Sequence, residues 1–447
     1  MIMPFNGDIR KVSLAAIDRE VEDHQWRTSP AVHKTNLPID VFMKTILIVN
    51  DFAHVNGGAG QVALSSAIGL VTQGYKVIVL SAVGPIMPEL ISSNVKVIVT
   101  GHYEIIKDPN RLRAVAHGIW NPNAHSIMKD LLSILDPKQT IVHIHGWTKA
   151  LSSSVIRIAV QRGFKVICTL HDYFSACPNG GFFDYQRKEI CTENPLSARC
   201  ILKNCDVRSY SQKLWRVARQ VAQSRLGMMP DGIRHFITIS DFSEMILQPF
   251  LPQDAMLFRV DNPISALHRP CINAGANDAL TFVGRLSSEK GVEMFAAAAN
   301  RLGIAPTFVG AGTCEEIIKK VCPQAKITGW LSPDRVTEYL SVARALVLPS
   351  LCYETQGLVV AEAAALGIPA LVPDTCAAKD MVKDGETGLW FRGGDENDLL
   401  NKMKILQRPG IATKLGNAAY EGYWREPHTI ERHIAKLGTI YKHILPG

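Results

Sequence analysis

The sequence lacks any apolar run approaching the roughly 20 residues that a membrane-spanning helix needs. Its opening, M-I-M-P-F-N-G-D-I-R-K-V-S, has no apolar stretch behind a basic head, which argues against a secretory signal and for a protein that stays in the cytoplasm. The ten cysteines include no Cys-x-x-Cys pair and do not follow the spacing of a small secreted disulfide scaffold, so reduced thiols are expected. Charge is not lopsided either: the net +7 is spread over 447 residues with Lys and Arg interspersed among Asp and Glu, which argues no nucleic-acid footprint. What remains is 47% hydrophobic and 20% charged, a chain too long for one hydrophobic core, so two domains are expected.

The most informative stretch is Pro349 to Pro369, P-S-L-C-Y-E-T-Q-G-L-V-V-A-E-A-A-A-L-G-I-P, which follows the strand-like Ala345 to Leu348. It predicts a loop entering a helix that starts near Gly357 and stops at Gly367, apolar nearly all round and therefore buried. Two carboxylates interrupt that background, Glu354 in the loop and Glu362 in the helix, with seven residues between them. Each needs a partner if buried; sugar or ribose hydroxyls would serve, because a carboxylate only accepts. The free N–H groups at Gly357 and Leu358 would suit a phosphate. The plainer reading is a capping Glu354 and a Glu362 paired to an arginine.

Upstream, Leu280 to Val283 leads into G-R-L-S-S-E-K-G, where Arg285 and Lys290 supply cations suited to a diphosphate, although exposed cations near a helix start are usually surface. In the first half, T-I-L-I-V-N at Thr45 to Asn50 precedes H-V-N-G-G-A-G, and Gly57, Gly58 and Gly60 open an apolar helix over Val62 to Thr72. Further strands are expected at Lys76–Ser81, Val95–Val99, Thr140–His145, Lys165–Leu170 and His235–Ile239, alternating with helices as in a doubly wound parallel sheet. Ligands gather at the carboxyl ends of such strands. H-I-H-G-W and L-H-D-Y place histidines there: His143 and His145 share a face with His145 nearer the end, and His171 with Asp172 could shape a second cleft.

These motifs carry a resemblance. The Glu-x7-Glu spacing after a strand ending in Pro-Ser, and the G-R-L-x-x-E-K-G before it, resemble the donor site of the retaining GT-B glycosyltransferases of family 4, the glycosyl transferases group 1. The resemblance runs from about Thr45 to the end of the chain. It implies an α/β GT-B architecture, two doubly wound Rossmann-like domains facing across a cleft. The domains would be an N-terminal extension over 1–43, an acceptor domain over 44–262, a nucleotide-sugar donor domain over 263–420 and a terminal helix over 421–447 crossing back to the first domain. It further implies that Arg285 and Lys290 stabilise a departing diphosphate, that Glu354 contacts the donor sugar and Glu362 the ribose, and that His145 lies against the sugar. Gly58, Gly60, Gly357 and Leu358 would flank the phosphates, and Gly329 and Trp330 would meet the base, although Trp330 also reads as core. No metal is assigned to the reaction, since no Asp-x-Asp stands at a strand end, and no cofactor is required beyond the nucleotide-diphosphate sugar itself. The acceptor would be a saccharide or lipid-linked saccharide of cell-surface polysaccharide or glycolipid synthesis. Rival readings are an epimerase or phosphorylase on the same frame, and an inactive sugar-nucleotide-binding regulator.

Between the two halves lies an insertion over 174–226. Cys177, Cys191, Cys200 and Cys205 are candidates for a structural zinc, but the long spacings favour a flexible lid with reduced thiols. The following helix carries Tyr210, Leu214, Val217 and Val221 on one face and Arg208, Lys213, Arg216, Arg219 and Arg225 on the other. A solvated basic face over a packed apolar one is expected, with peripheral contact to an anionic membrane as the alternative.

Overall fold

The computed structural model describes residues 44–446; the N-terminal extension expected over 1–43 lies outside them. Seven parallel strands form the first sheet: β1 (Thr45–Val49), β2 (Lys76–Ser81), β3 (Lys96–Val99), β4 (Thr140–Ile144) and β5 (Lys165–Thr169), then β8 (His235–Thr238) and β9 (Met256–Arg259), which follow the small antiparallel hairpin of β6 (Phe183–Asp184) and β7 (Glu189–Ile190). Their order is β3-β2-β1-β4-β5-β8-β9. The central β1 and β4 are buried at every residue, which is why T-I-L-I-V reads as an unbroken apolar run. Strand β9 adds to the strands expected from the sequence, which stopped at His235–Ile239. It is an edge strand with none of its four residues fully buried, so M-L-F-R carries no strong apolar pattern.

The second sheet comprises β10 (Ala279–Val283), β11 (Thr307–Val309), β12 (Lys326–Ile327), β13 (Ala343–Val347), β14 (Ala370–Pro373) and β15 (Gly388–Phe391), all parallel, in the order β12-β11-β10-β13-β14-β15. Both sheets reverse their winding once, between β1 and β4 and between β10 and β13. Open α/β sheets bind ligands in the crevice beyond the carboxyl ends of the strands at such a reversal. The fold is the GT-B architecture of two doubly wound domains.

The last helix, Ile430–Ile444, returns to the first sheet. Ile434, Leu437, Tyr441 and Ile444 join the core formed by β1, β2 and the helix Gly58–Thr72. The approach is close enough that a Cβ on Gly69 would lie 2.6 Å from Ile434. Among the described residues, no helix is long and apolar enough to cross a membrane.

The insertion is packed rather than a loose lid. Phe183, Asp184, Cys200, Cys205 and Asp206 are buried within it. Its helix, Tyr210–Arg225, lies the other way round from the sequence expectation. Lys213, Arg219, Gln220 and Gln223 face inward with Val217 and Ala222, while Tyr210, Leu214 and Val221 are exposed. The inner surface is built of groups that need donors. Arg216 Nε lies 2.6 Å from the fully buried Asp206 Oδ2, and Gln220 and Gln223 donate to the Ser175 and Phe174 carbonyls at 3.3 and 2.8 Å. Arg219 donates to the Thr148 and Pro178 carbonyls and stacks over Phe174 with its guanidinium carbon 4.7 Å from the ring centroid. A polar face is buried when its partners are buried with it.

Candidate active site

In the second domain, the loop after β10 and the loop after β13 are locked together by a glycine. Gly291 has φ +66, and a Cβ there would lie 1.9 Å from the Pro349 carbonyl oxygen, so only glycine lets G-R-L-S-S-E-K-G lie against P-S-L-C-Y-E. The approach brings Lys290 Nζ within 2.6 Å of Glu354 Oε1, and Ser350 Oγ donates to the same oxygen at 2.5 Å. Burial opposes both charges, and each offsets the cost for the other. Glu354 is held below the usual carboxylate range by the ammonium beside it, and Lys290 is held above its ordinary value by the carboxylate. Glu354 Oε2 receives no hydrogen bond among the described residues. It is the free acceptor of the pair.

Arg285 stands at the rim, 71% exposed at its side chain, with one guanidinium nitrogen 3.3 Å from Glu289 Oε1. Glu289 is itself buried and accepts from Ser287 Oγ at 2.6 Å, so the arginine is tethered at one end while most of its donors face outward. The helix Leu358–Leu366 begins at Gly357 and ends at Gly367, both left-handed with φ 83 and 85. Within it, Glu362 has no ion-pair partner among the described residues, and burial pushes its carboxyl pKa up. That outcome removes the arginine-paired reading. Gly329, with φ +74, and Trp330 follow β12, and Trp330 is 80% exposed rather than core.

In the first domain, the glycine that the backbone requires is Gly57, with φ +92, at the start of the helix Gly58–Thr72. Gly58 faces the second domain: a Cβ there would stand 3.5 Å from Leu358. Gly60 is buried near Asn50 and the His54 carbonyl. His143 is satisfied inside the fold, 2.7 Å from both the Tyr441 hydroxyl and Thr169 Oγ1. His145 differs. Its Nδ1 lies 3.0 Å from His171 Nε2, and its buried Nε2 has no partner among the described residues. Burial, reinforced by neighbouring imidazoles, holds His143 and His145 well below the ordinary histidine value and brings His171 down to about 3, so all three are neutral at pH 7. Asp172 is pushed up to about 6 by burial, against the pull of the Phe174 N–H that it accepts at 2.9 Å and of nearby Arg219 and Lys149.

The two halves meet at these same loops. Thr355 Oγ1 donates to the His171 carbonyl at 3.0 Å, and the Tyr173 hydroxyl reaches the Glu354 carbonyl at 3.5 Å. The structure therefore brings Lys290, Glu354, His171 and Asp172 to one interdomain seam, with Gly58 and Leu358 across from each other and Arg285 at the rim. Sequence reasoning missed Ser350 and Asp51. Asp51, directly after β1, accepts the N–H groups of Lys149, Ala150 and Leu151 at 2.9 Å each and so shapes the loop beyond His145. Its signal was its place at a central strand's end. Among the described residues, no three His, Cys, Asp or Glu side chains converge to hold a metal ion, so Cys177, Cys191, Cys200 and Cys205 do not form the tetrahedral zinc set; all four are free thiols.

Residues 277–408, which span β10 to the helix after β15, match the family described as glycosyl transferases group 1. The matched stretch contains all six strands of the second sheet. Similarity to individual proteins covers parts of the chain. A GDP-mannose-dependent alpha-mannosyltransferase of Corynebacterium glutamicum is 31% identical over 136 residues, 30% of this chain and 33% of that protein. A D-inositol 3-phosphate glycosyltransferase of Acidothermus cellulolyticus is 26% identical over 318 residues, 65% of each chain. The aligned stretches thus span from a third to just under two thirds of these relatives' lengths. Two solved structures share the fold over nearly the whole chain. Sucrose-phosphate synthase from Thermosynechococcus elongatus superposes with a TM-score of 0.66 at 17% identity, covering 90% of this chain and 99% of the other. Anabaena HepE, solved with UDP and glucose, gives 0.60 at 13% identity, covering 90% and 100%.

Proposed function

We propose that the chain is a retaining glycosyltransferase that moves a sugar from a nucleotide-diphosphate sugar to an acceptor hydroxyl. The observation that carries this reading is the Lys290–Glu354 pair, 64 residues apart in sequence, closed to 2.6 Å beyond the carboxyl ends of β10 and β13 with one carboxylate oxygen left free. A sugar hydroxyl would donate to that oxygen, and the Lys290 ammonium and the Arg285 guanidinium would meet the charge that grows on the leaving diphosphate. Glu362, unpaired and half-buried, would accept the ribose hydroxyls. The neutral His145–His171 pair can donate or accept beside the reacting carbon without adding charge. In this reading two side-chain cations take the place of a divalent ion, and front-face attack accounts for retention, with Glu354 and Glu362 assigned to hydroxyls of the donor rather than to a nucleophile's role.

The acceptor is proposed to be a saccharide or lipid-linked saccharide in surface polysaccharide or glycolipid synthesis, met at the cytoplasmic side of a membrane. Exposed Leu112, Val115, Leu214 and Val221 on two packed helices, with exposed Arg111 and Arg225 nearby, support peripheral contact with anionic lipid. The first test is a thermal-shift series of UDP, GDP, ADP and their sugars on the wild type and on Glu362→Ala. One nucleotide is expected to raise the wild-type melting point, by mass action, and to fail in the variant. No response to any of them at millimolar concentration would sink the donor site. Transfer in the presence of a chelator, with the product anomer read by NMR, then tests metal independence and retention.

A further inference from the structure

Lys213 is buried to 0% exposure on the inward face of the helix Tyr210–Arg225. Among the described residues it has no carboxylate partner; its ammonium donates instead to Cys200 Sγ at 3.4 Å, and Cys205 Sγ is also within its reach. Nearby acids are engaged elsewhere: Asp206 with Arg216, and Asp184 with Lys203. Cys205 Sγ additionally receives the Asn179 amide at 3.7 Å. A buried ammonium with no anion is among the most unfavourable groups a core can hold. The two sulfurs are the acceptors that the structure offers this ammonium. Cys191, half-buried, lies beside both and connects the cluster to the surface.

We infer that Cys200 and Cys205 form a two-electron thiol redox site whose reduced state is an ammonium–thiolate pair with Lys213, and that its oxidant is a small hydroperoxide. The Cys200 thiolate attacks the distal peroxide oxygen; an S–O bond forms, the O–O bond breaks, and the departing alkoxide or hydroxide takes a proton from water. The Cys205 thiol then attacks the sulfenic sulfur, forming the S–S bond and releasing the oxygen as water. The two sulfurs lose two electrons, which the peroxide gains. Oxidation removes the anion that Lys213 was buried against. The first half of the helix then loses its inward anchor, and that helix holds the Phe174–Ser175 loop directly after Asp172 through Gln220 and Gln223. The site is therefore expected to loosen a seam loop when oxidised, whatever the protein transfers.

The experiment is peptide mapping of the full chain at pH 7 after hydrogen peroxide treatment and alkylation. A Cys200–Cys205 disulfide is expected in the wild type. Its rate of formation should fall about tenfold or more in Lys213→Met, which removes the charge and keeps the bulk. Cys205→Ser should stop at a sulfenic acid on Cys200 that dimedone traps, a result that stands even if Lys213→Met does not fold. Full alkylation of both thiols after millimolar peroxide overturns the inference, as does an unchanged rate in a folded Lys213→Met. Stoichiometric zinc in the purified protein that is lost in Cys200→Ser also overturns it, since the thiolate would then be a metal ligand.

Discussion

Two helices of this protein, Leu358–Leu366 and Tyr210–Arg225, were equally readable as helices and not equally readable as parts of a fold. The first is apolar all round, so every rotation about its axis buries the same kind of surface; its glycine ends and its buried setting follow directly from composition. The second is amphipathic, and its pattern pointed the wrong face inward. Amphipathicity states that two faces differ. Which one is buried depends on what the neighbouring elements need, and here the insertion presents Asp206, two thiols and a run of carbonyls that only a cationic and amide face can satisfy. The exposed apolar side chains are the counterpart of that choice.

The contrast extends to how each domain tolerates buried ionisable groups, and acid separates them most strongly. His143, His145 and His171 are held below their ordinary values, so beneath about pH 6.5 the unfolded chain binds more protons than the folded one, and stability falls as pH falls. Between pH 7.5 and 5.5 the three together should cost on the order of several kcal/mol. The Lys290–Glu354 pair behaves differently. A depressed carboxyl keeps its contribution above the ordinary carboxylate range near pH 4, and a raised ammonium keeps its contribution up to about pH 10. Native-state hydrogen exchange at pH 5.5 should therefore show amides of β4 and β5 weakened well before those of β10 and β13. Equal weakening of the two sheets would remove the contrast.

Next in size is the ion pair inside the inverted helix. Arg216→Ala leaves Asp206 charged and buried, and is expected to lower the urea unfolding free energy by about 3 kcal/mol, whereas Arg216→Met with Asp206→Leu should recover most of it. If the single substitution is silent, the basic face is not held by its partners. A smaller effect of opposite sign is expected in the apolar helix. Glu362 is half-buried without a partner, so Glu362→Ala should raise stability by about 1 kcal/mol while abolishing the melting shift produced by nucleotide. A loss of stability there would mean that the carboxylate is satisfied in the protein itself. Smallest is Leu214→Glu on the exposed face, which should change unfolding by less than about 0.5 kcal/mol yet reduce sedimentation with anionic vesicles. A large destabilisation would place the apolar face inside after all.

Much of the fold could be read from the chain because parallel strands buried on both faces leave unbroken apolar runs, as in T-I-L-I-V, and because glycines mark the helix limits. The edge strand β9 escaped notice because none of its residues is fully buried, so no apolar run is required there. In the site, Arg285, Lys290, Glu354 and Glu362 announce themselves through charge set in apolar or glycine-rich surroundings. Ser350 and Asp51 do not, since a serine and an aspartate in loops are ordinary until the fold shows which N–H or carboxylate each one meets.

Local physics accounts for what the sequence determined alone: two doubly wound sheets, the glycine-bounded helix and the residue types at the strand ends. These depend on burial, backbone freedom at glycine and the spacing of charge along the chain. Tertiary structure decided that Lys290 closes on Glu354, that His145 pairs with His171, and that the helix Tyr210–Arg225 turns its cations inward. Each of those outcomes joins residues distant in sequence, and a buried charge takes its place only where a partner from elsewhere in the chain is already waiting.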